Sequence, residues 1–311
     1  MTRTFFTKPL FHAAISSLFA AATASVLACS GGTPSDTMMD MAPPMDMDTT
    51  QPAKPGSTVT QVALGGADND AAYAVTTDAA GNVYVAGQLT GPIDLGGGVL
   101  TAFGMSDVYV AKFDSSGKHL WSKSFGGTGP ESVTGLGVDR SGNLWVAGSF
   151  RNSIDFGGGA LNSAGFSDVF LLSLGTADGA YRAAYRYGGA NDENVVALAL
   201  DSTGAPILTG AFAGSVDFGG GMLTSAGGTD GYILKVSAAG AHQWSKRFGD
   251  AYQDTGGGIA VGPGDDVNLI ATFIGSADVG GGKVSAANAV AADILVARFG
   301  ADGSHKWSKG V

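Results

Sequence analysis

Residues 139–150 read DRSGNLWVAGSF. The segment opens on an Asp-x-x-Gly turn, where an aspartate can bond nearby backbone N–H groups and a glycine can take positive φ. It continues as an apolar run rich in aromatic and branched residues, which reads as a strand. The same phrase returns as DAAGNVYVAG from Asp78, DSTGAPILTG from Asp201 and, in worn form, GPGDDVNLIA from Gly262, at spacings of 61, 62 and 61 residues. A fixed period of this kind marks a repeated supersecondary unit.

Two further phrases keep the period. One is SDVYVAKF, SDVFLLSL, TDGYILKV and ADILVARF; the other closes each unit as HLWSKSFGG, YRAAYRYGG, HQWSKRFGD and HKWSKGV. In the second unit the apolar runs fall at 132–139, 143–150, 168–174 and 181–187, and none has a helical period. The expected fold is therefore all-β, a β-propeller over 58–311 built from about four 61-residue, four-stranded repeats. TVTQVALGG (58–66) matches the end of a unit and adds one extra N-terminal strand. The product is a small ring with a spare strand, an open arc, part of a larger assembly or a truncated chain. An open arc would expose a sheet edge to self-association.

The excess length of each unit lies between its second and third strands. There stand IDLGGG (93–98), IDFGGG (154–159), VDFGGG (216–221) and ADVGGG (277–282). Three glycines in a row are costly in backbone entropy. Such loops either fold back on themselves or approach a ligand closely. In an up-and-down blade the second-to-third loop and the blade-to-blade connection share one face, so the triplets mark a single elaborated face.

These units resemble the bacterial β-propeller repeat family called SBBP, in the D-x-x-G-N-x-[YW]-[VI]-x-G strand, the S-D-x-[YF]-[VL] strand and the F-G-G exit. The resemblance covers residues 58–311. It implies a propeller at the bacterial surface or envelope, and no reaction.

The start of the chain reads as an address. Residues 1–28 combine Arg3 and Lys8 with an apolar, small-residue run, as a secretory signal does. Val26-Leu27-Ala28-Cys29 resembles the lipobox of bacterial lipoproteins, which implies lipidation of Cys29 and a membrane contact through that anchor alone. Ser30 after the cysteine resembles outer-membrane sorting; whether the chain faces the periplasm or the surface stays open. An uncleaved signal anchor is the alternative. Residues 29–57 hold the cysteine and a Pro-, Asp- and Met-rich stretch without hydrophobic period, expected to be a disordered tether. Its methionines Met38, Met39, Met41, Met45 and Met47 are soft ligands suited to Cu(I), but a spacer of biased composition explains them without a metal. Removing residues 1–28, which contain no acid, takes the net charge from −10 to −12. That balance argues against nucleic acid as a partner. A single cysteine excludes an internal disulfide.

Three acidic columns recur with the repeat. Asp94, Asp155, Asp217 and Asp278 precede the glycines, and Asp107, Asp168, Asp230 and Asp293 precede the third strand; together they are the candidate binding face. Asp70, Glu131, Glu193 and Asp254 follow the exits. Carboxylates with loop carbonyls are the ingredients of a calcium site, and GGTGPE (126–131) resembles the GGxGxD calcium repeat, without its nine-residue stacking. The last column is thus the candidate calcium set. The plainer expectation is that each acid caps a turn, because a folding device recurs whereas a ligand site is usually unique. His119, His242 and His305 each stand two residues before Trp121, Trp244 and Trp307, on outermost strands of separate units, so they cannot converge on one metal. The D-x-x-G-x-x-x-W turn resembles the tryptophan-docking motif of quinoprotein propellers, which implies that Trp121, Trp244 and Trp307 wedge between neighbouring blades.

No G-x-S-x-G, H-E-x-x-H or P-loop is present. No cofactor other than calcium is expected. The leading expectation is an envelope lipoprotein whose propeller is a non-catalytic module binding an envelope or surface protein through its acidic, glycine-rich loops. The alternative is a calcium-dependent enzyme or sugar-binding protein acting on an envelope polymer, which predicts a non-repeated acid pair in one blade.

Overall fold

The computed structural model describes residues 64–288 and 290–311. The signal segment, Cys29, the tether and most of the strand expected over 58–66 lie outside the described residues. The chain is all-β, and each unit forms one four-stranded antiparallel sheet with its strands in sequence order. The first sheet comprises Asp70–Thr77, Val83–Leu89, Asp107–Phe113 and His119–Phe125. The second comprises Glu131–Val138, Asn143–Asp155, Ala160–Gly175 and Tyr181–Tyr187. The third runs through Glu193–Leu200, Pro206–Asp217, Met222–Val236 and His242–Phe248, and the fourth through Thr255–Val261, Val267–Ile274, Ala292–Phe299 and His305–Gly310. None of the sheets closes on itself.

The Asp-x-x-Gly turns join first and second strands as their chemistry requires. Asp139 Oδ1 accepts from the N–H groups of Ser141 (2.8 Å) and Asn143 (2.9 Å), and Gly142 sits at φ 75°. In the worn fourth unit a single 3-10 turn, Pro263–Asp265, takes over, closed by Gly262 N–H to Asp266 O at 2.8 Å. A register shift recurs in every first strand, between Ala72/Ala74, Val133/Gly135, Val195/Ala197 and Gly256/Gly258. A bulge kept in all four copies bends each strand alike.

The core lies between sheets. Tyr84, Val108 and Val110 of the first sheet meet Leu144, Val146, Phe150 and Phe170 of the second. Trp145 and Leu171 then meet Leu208 and Tyr232, and Ile207 and Ile233 meet Leu269 and Phe273. The alternation along each central strand thus serves two neighbours, so both of its faces are apolar. First strands of successive sheets adjoin each other.

Trp121 shows how one sheet keys into the next. It is 8 % exposed, and its indole N–H donates to Thr176 O at 3.2 Å, in the third-to-fourth turn of the second sheet. Trp244 repeats the contact with Ala301 O at 3.0 Å. Trp307, in the last sheet, is 45 % exposed. Trp121→Phe, which keeps a ring but loses the donor, is expected to cost about 1 kcal/mol in a urea titration, and Trp307→Phe to cost nothing measurable.

The second-to-third connections differ from the expected loops. In the second and third sheets they are continuations of the strands, with Ala160 opposite Asp155 and Met222 opposite Asp217. In the first and fourth sheets they form short separate hairpins, Ile93–Asp94 with Val99–Leu100 and Ser276–Ala277 with Val284–Ser285. Pro92, which has no N–H to give, interrupts the strand in the first.

Candidate functional site

The glycine triplets fold back. Asp94 Oδ1 accepts from Gly96 N–H (2.8 Å) and Gly98 N–H (3.1 Å), and Asp155, Asp217 and Asp278 make the same pair of bonds. Gly96 and Gly98 have φ of 98° and 104°, open to glycine alone. The middle glycine is needed for space, since a Cβ on Gly97 would stand 2.1 Å from His119 Cε1. His242 and His305 cover Gly220 and Gly281 in the same way, and Tyr181 covers Gly158. Each imidazole Nε2 also pairs with a serine three residues on, Ser122, Ser245 or Ser308, at 3.0–3.1 Å.

This contact ties each triplet to the outermost strand of its sheet. His119 opens the fourth strand beside the short Asp114–Gly117 turn, so the triplet lies along the outermost strand, while Asp94 itself pairs with Gly65 at the exit. The cause is hydrophobic. Ile93 and Leu95, Ile154 and Phe156, Val216 and Phe218, and Ala277 and Val279 are all buried and pull their hairpins onto the sheets. Asp94, Asp155, Asp217 and Asp278 remain exposed. Asp107, Asp168 and Asp230 are fully buried, so these three present no charged surface to a partner, and Asp293 is half-buried. Asp94→Asn keeps the acceptor and is expected to leave the urea midpoint unchanged; Asp94→Ala is expected to cost about 1 kcal/mol.

The buried acids meet across the junctions between sheets. At the first junction the Glu131 carboxyl faces that of Asp107 within hydrogen-bond reach. At the second Glu193 neighbours Asp168, and at the third Asp254 neighbours Asp230. Asp107, Asp168 and Asp230 each accept on Oδ2 from a loop N–H just upstream, of Phe103, Ala164 and Ala226. Asp70, Glu193 and Asp254 accept from the exits, at Gly66 (2.7 Å), Gly189 (2.7 Å) and Asp250 (3.1 Å). Burial, and then the Asp107 carboxyl, push Glu131 up to about 8. Burial also lifts Glu193 to about 7, opposed by the Gly189 N–H and reinforced by Asp168. Asp230 and Asp254 are raised as well, by burial first. Among the described residues no three His, Cys, Asp or Glu side chains converge on one point.

A second feature lies on the outer side of the hairpins. Val99, Phe103, Met105, Phe166, Met222 and Val290 are all exposed, and all lie on the second-to-third hairpins, Phe166 and Met222 within the outer part of the third strands. None of the exposed large apolar side chains lies in a short first-to-second or third-to-fourth turn. The residues were visible individually; their exposure depends on which side of each hairpin faces the sheet.

No family model matches the chain. The chain is 30% identical over 220 residues to the regulatory protein FlaEY of Caulobacter vibrioides, an overlap of 67% of this chain and 22% of that protein. It thus spans about a fifth of the length of the curated relative it matches. A crystal structure of a protein of unknown function from Dyadobacter fermentans covers 78% of this chain and 69% of its own, with a TM-score of 0.42 and 11% identity.

Proposed function

We propose that the chain is a non-catalytic binding or scaffold module: a β-propeller, held to the outer membrane through a lipid on Cys29, that docks an envelope or surface protein on its second-to-third hairpins. Four sheets in series, with first strands adjoining and cores between them, support the propeller reading. The N-terminal segment and its cysteine support the anchor.

The observation that carries the binding role is the apolar character of the hairpins. In every sheet the second-to-third hairpin carries at least one exposed large apolar side chain near an exposed carboxylate, and that recurrence marks an interaction surface. Because Ile154, Phe156, Val216 and Phe218 fix the hairpins from beneath, the exposed side chains need little ordering on binding.

The test is capture from envelope extract on the full-length chain. One variant carries serine at Val99, Phe103, Met105, Phe166 and Met222; a second carries asparagine at Asp94, Asp155, Asp217 and Asp278, which preserves the turns. A protein held by the unmodified chain and lost with the serine variant is the expected result, with the asparagine variant reporting the share due to charge. Equal capture by all three would contradict the docking surface.

A further inference from the structure

The junction between the first and second sheets departs from the other two in its charge. At the second junction Arg186 Nη1 lies 2.5 Å from Asp168 Oδ2, and at the third Arg247 makes the same bond to Asp230. Arg186 stands across from Phe170 and Arg247 across from Tyr232; the matching position, across from Tyr109, is Ser124. Asp107 therefore has no arginine, and among the described residues no Lys or Arg pairs with Asp107 or Glu131.

Glu131 differs as well. Glu193 and Asp254 accept an N–H from their exits, whereas neither oxygen of Glu131 reaches hydrogen-bond geometry. The Gly127 N–H is near enough to draw its proton affinity down but not to bond it. Asp107 is 0 % exposed and Glu131 1 % exposed, and apart from each other's carboxyl Asp107 Oδ1, Glu131 Oε1 and Glu131 Oε2 have no partner. Two facing acids with three acceptors that no donor group of the protein fills, against two such acceptors at the second junction and one at the third, are a costly arrangement that a positive charge would relieve.

We propose that Asp107 and Glu131 form a binding site for a hard divalent cation of the calcium class, which takes at this junction the place that an arginine takes at the next two. A bidentate Glu131 and Asp107 Oδ1 offer three oxygens, and such ions complete their shells with carbonyls and water. The backbone of the exit runs directly over the site. A Cβ on Gly126 would stand 2.0 Å from Asp107 Oδ1, as one on Gly188 would stand 2.3 Å from the Asp168 carboxyl carbon, so at both junctions glycine lets the exit backbone pack directly on the carboxyl. Asp107 begins the third strand of one sheet and Glu131 the first strand of the next, so the ion would staple the two sheets together. This inference does not depend on the docking surface.

The experiment uses the full-length chain at pH 8, with calorimetric titration of CaCl2 and thermal melts in CaCl2, MgCl2 or EDTA. The expected result is about one calcium bound per chain and a midpoint raised by about 5 °C at a hundredfold excess over Kd. Glu131→Gln and Ser124→Arg are each expected to abolish uptake. Ser124→Arg, which copies an arrangement the chain already folds with twice, is also expected to raise the midpoint in EDTA. No uptake by the unmodified chain, or uptake unchanged in both variants, would overturn the proposal. A midpoint that calcium leaves unmoved while Glu131→Gln raises it would mean that the pair holds a proton and no metal ion, and would overturn it equally.

Discussion

Phe156→Ala is expected to lower the free energy of unfolding by about 3–5 kcal/mol, the range for truncating a fully buried aromatic ring. Phe156 is 2 % exposed although it sits in a hairpin next to a glycine triplet. Its ring lies 4.9 Å from that of Phe170 in its own sheet and 5.5 Å from that of Phe125 in the preceding one. Removing it opens a cavity at a junction between sheets and also frees the hairpin. Phe166→Ala, on the exposed side of the same hairpin, is expected to change stability by less than about 0.5 kcal/mol. Urea titrations of the two variants separate the residues that hold the hairpin from those offered to a partner. Equal losses would mean that the hairpin has no distinct buried side.

Stability in EDTA is expected to peak near pH 5 and to fall as the pH rises to 8. Glu131 is pushed up to about 8 and Glu193 to about 7, both by burial first. Between the ordinary glutamate range and these values the folded chain keeps protons that the unfolded chain has released. Their contribution is therefore complete below about pH 4.5 and lost as the pH climbs through 7 and 8. Asp201 acts in the opposite sense. Burial opposes its ionisation, but Lys235, Thr203 and the Ala205 N–H hold it below the usual range, so its contribution is lost on strong acidification. Glu131→Gln is expected to flatten the slope between pH 5 and 8. At pH 8 it should stabilise the chain by on the order of 2 kcal/mol once solvent screening is discounted. Urea midpoints across that range check it, and an unchanged slope would mean that Glu131 ionises without cost.

Much of this architecture is legible in the sequence because it repeats. The Asp139 turn, the alternation in NLWVAGSF and the 61-residue period lead directly to the strands and their order. The hairpins were harder to place. IDFGGGALNSAGFSD looks like an irregular loop, since glycine removes the side chains on which a strand pattern rests. Its direction is set by Ile154 and Phe156 finding a pocket formed by two sheets, a contact between residues distant in sequence. The pairing of His119 with Gly97 is hidden for the same reason. The buried acids show a different limit. Ser124, Arg186 and Arg247 can be aligned by eye, yet the difference acquires meaning only when sheet packing sets Glu131 against Asp107.

Hydrogen exchange on the full-length chain, with and without the protein it captures from envelope extract, tests the central claim most directly. The account predicts slowed exchange along the hairpin segments 99–106, 160–167 and 222–229, with the short turns at 78–82, 139–143 and 201–205 unchanged. Protection of those turns with the hairpins unaffected would place the partner elsewhere and contradict the account.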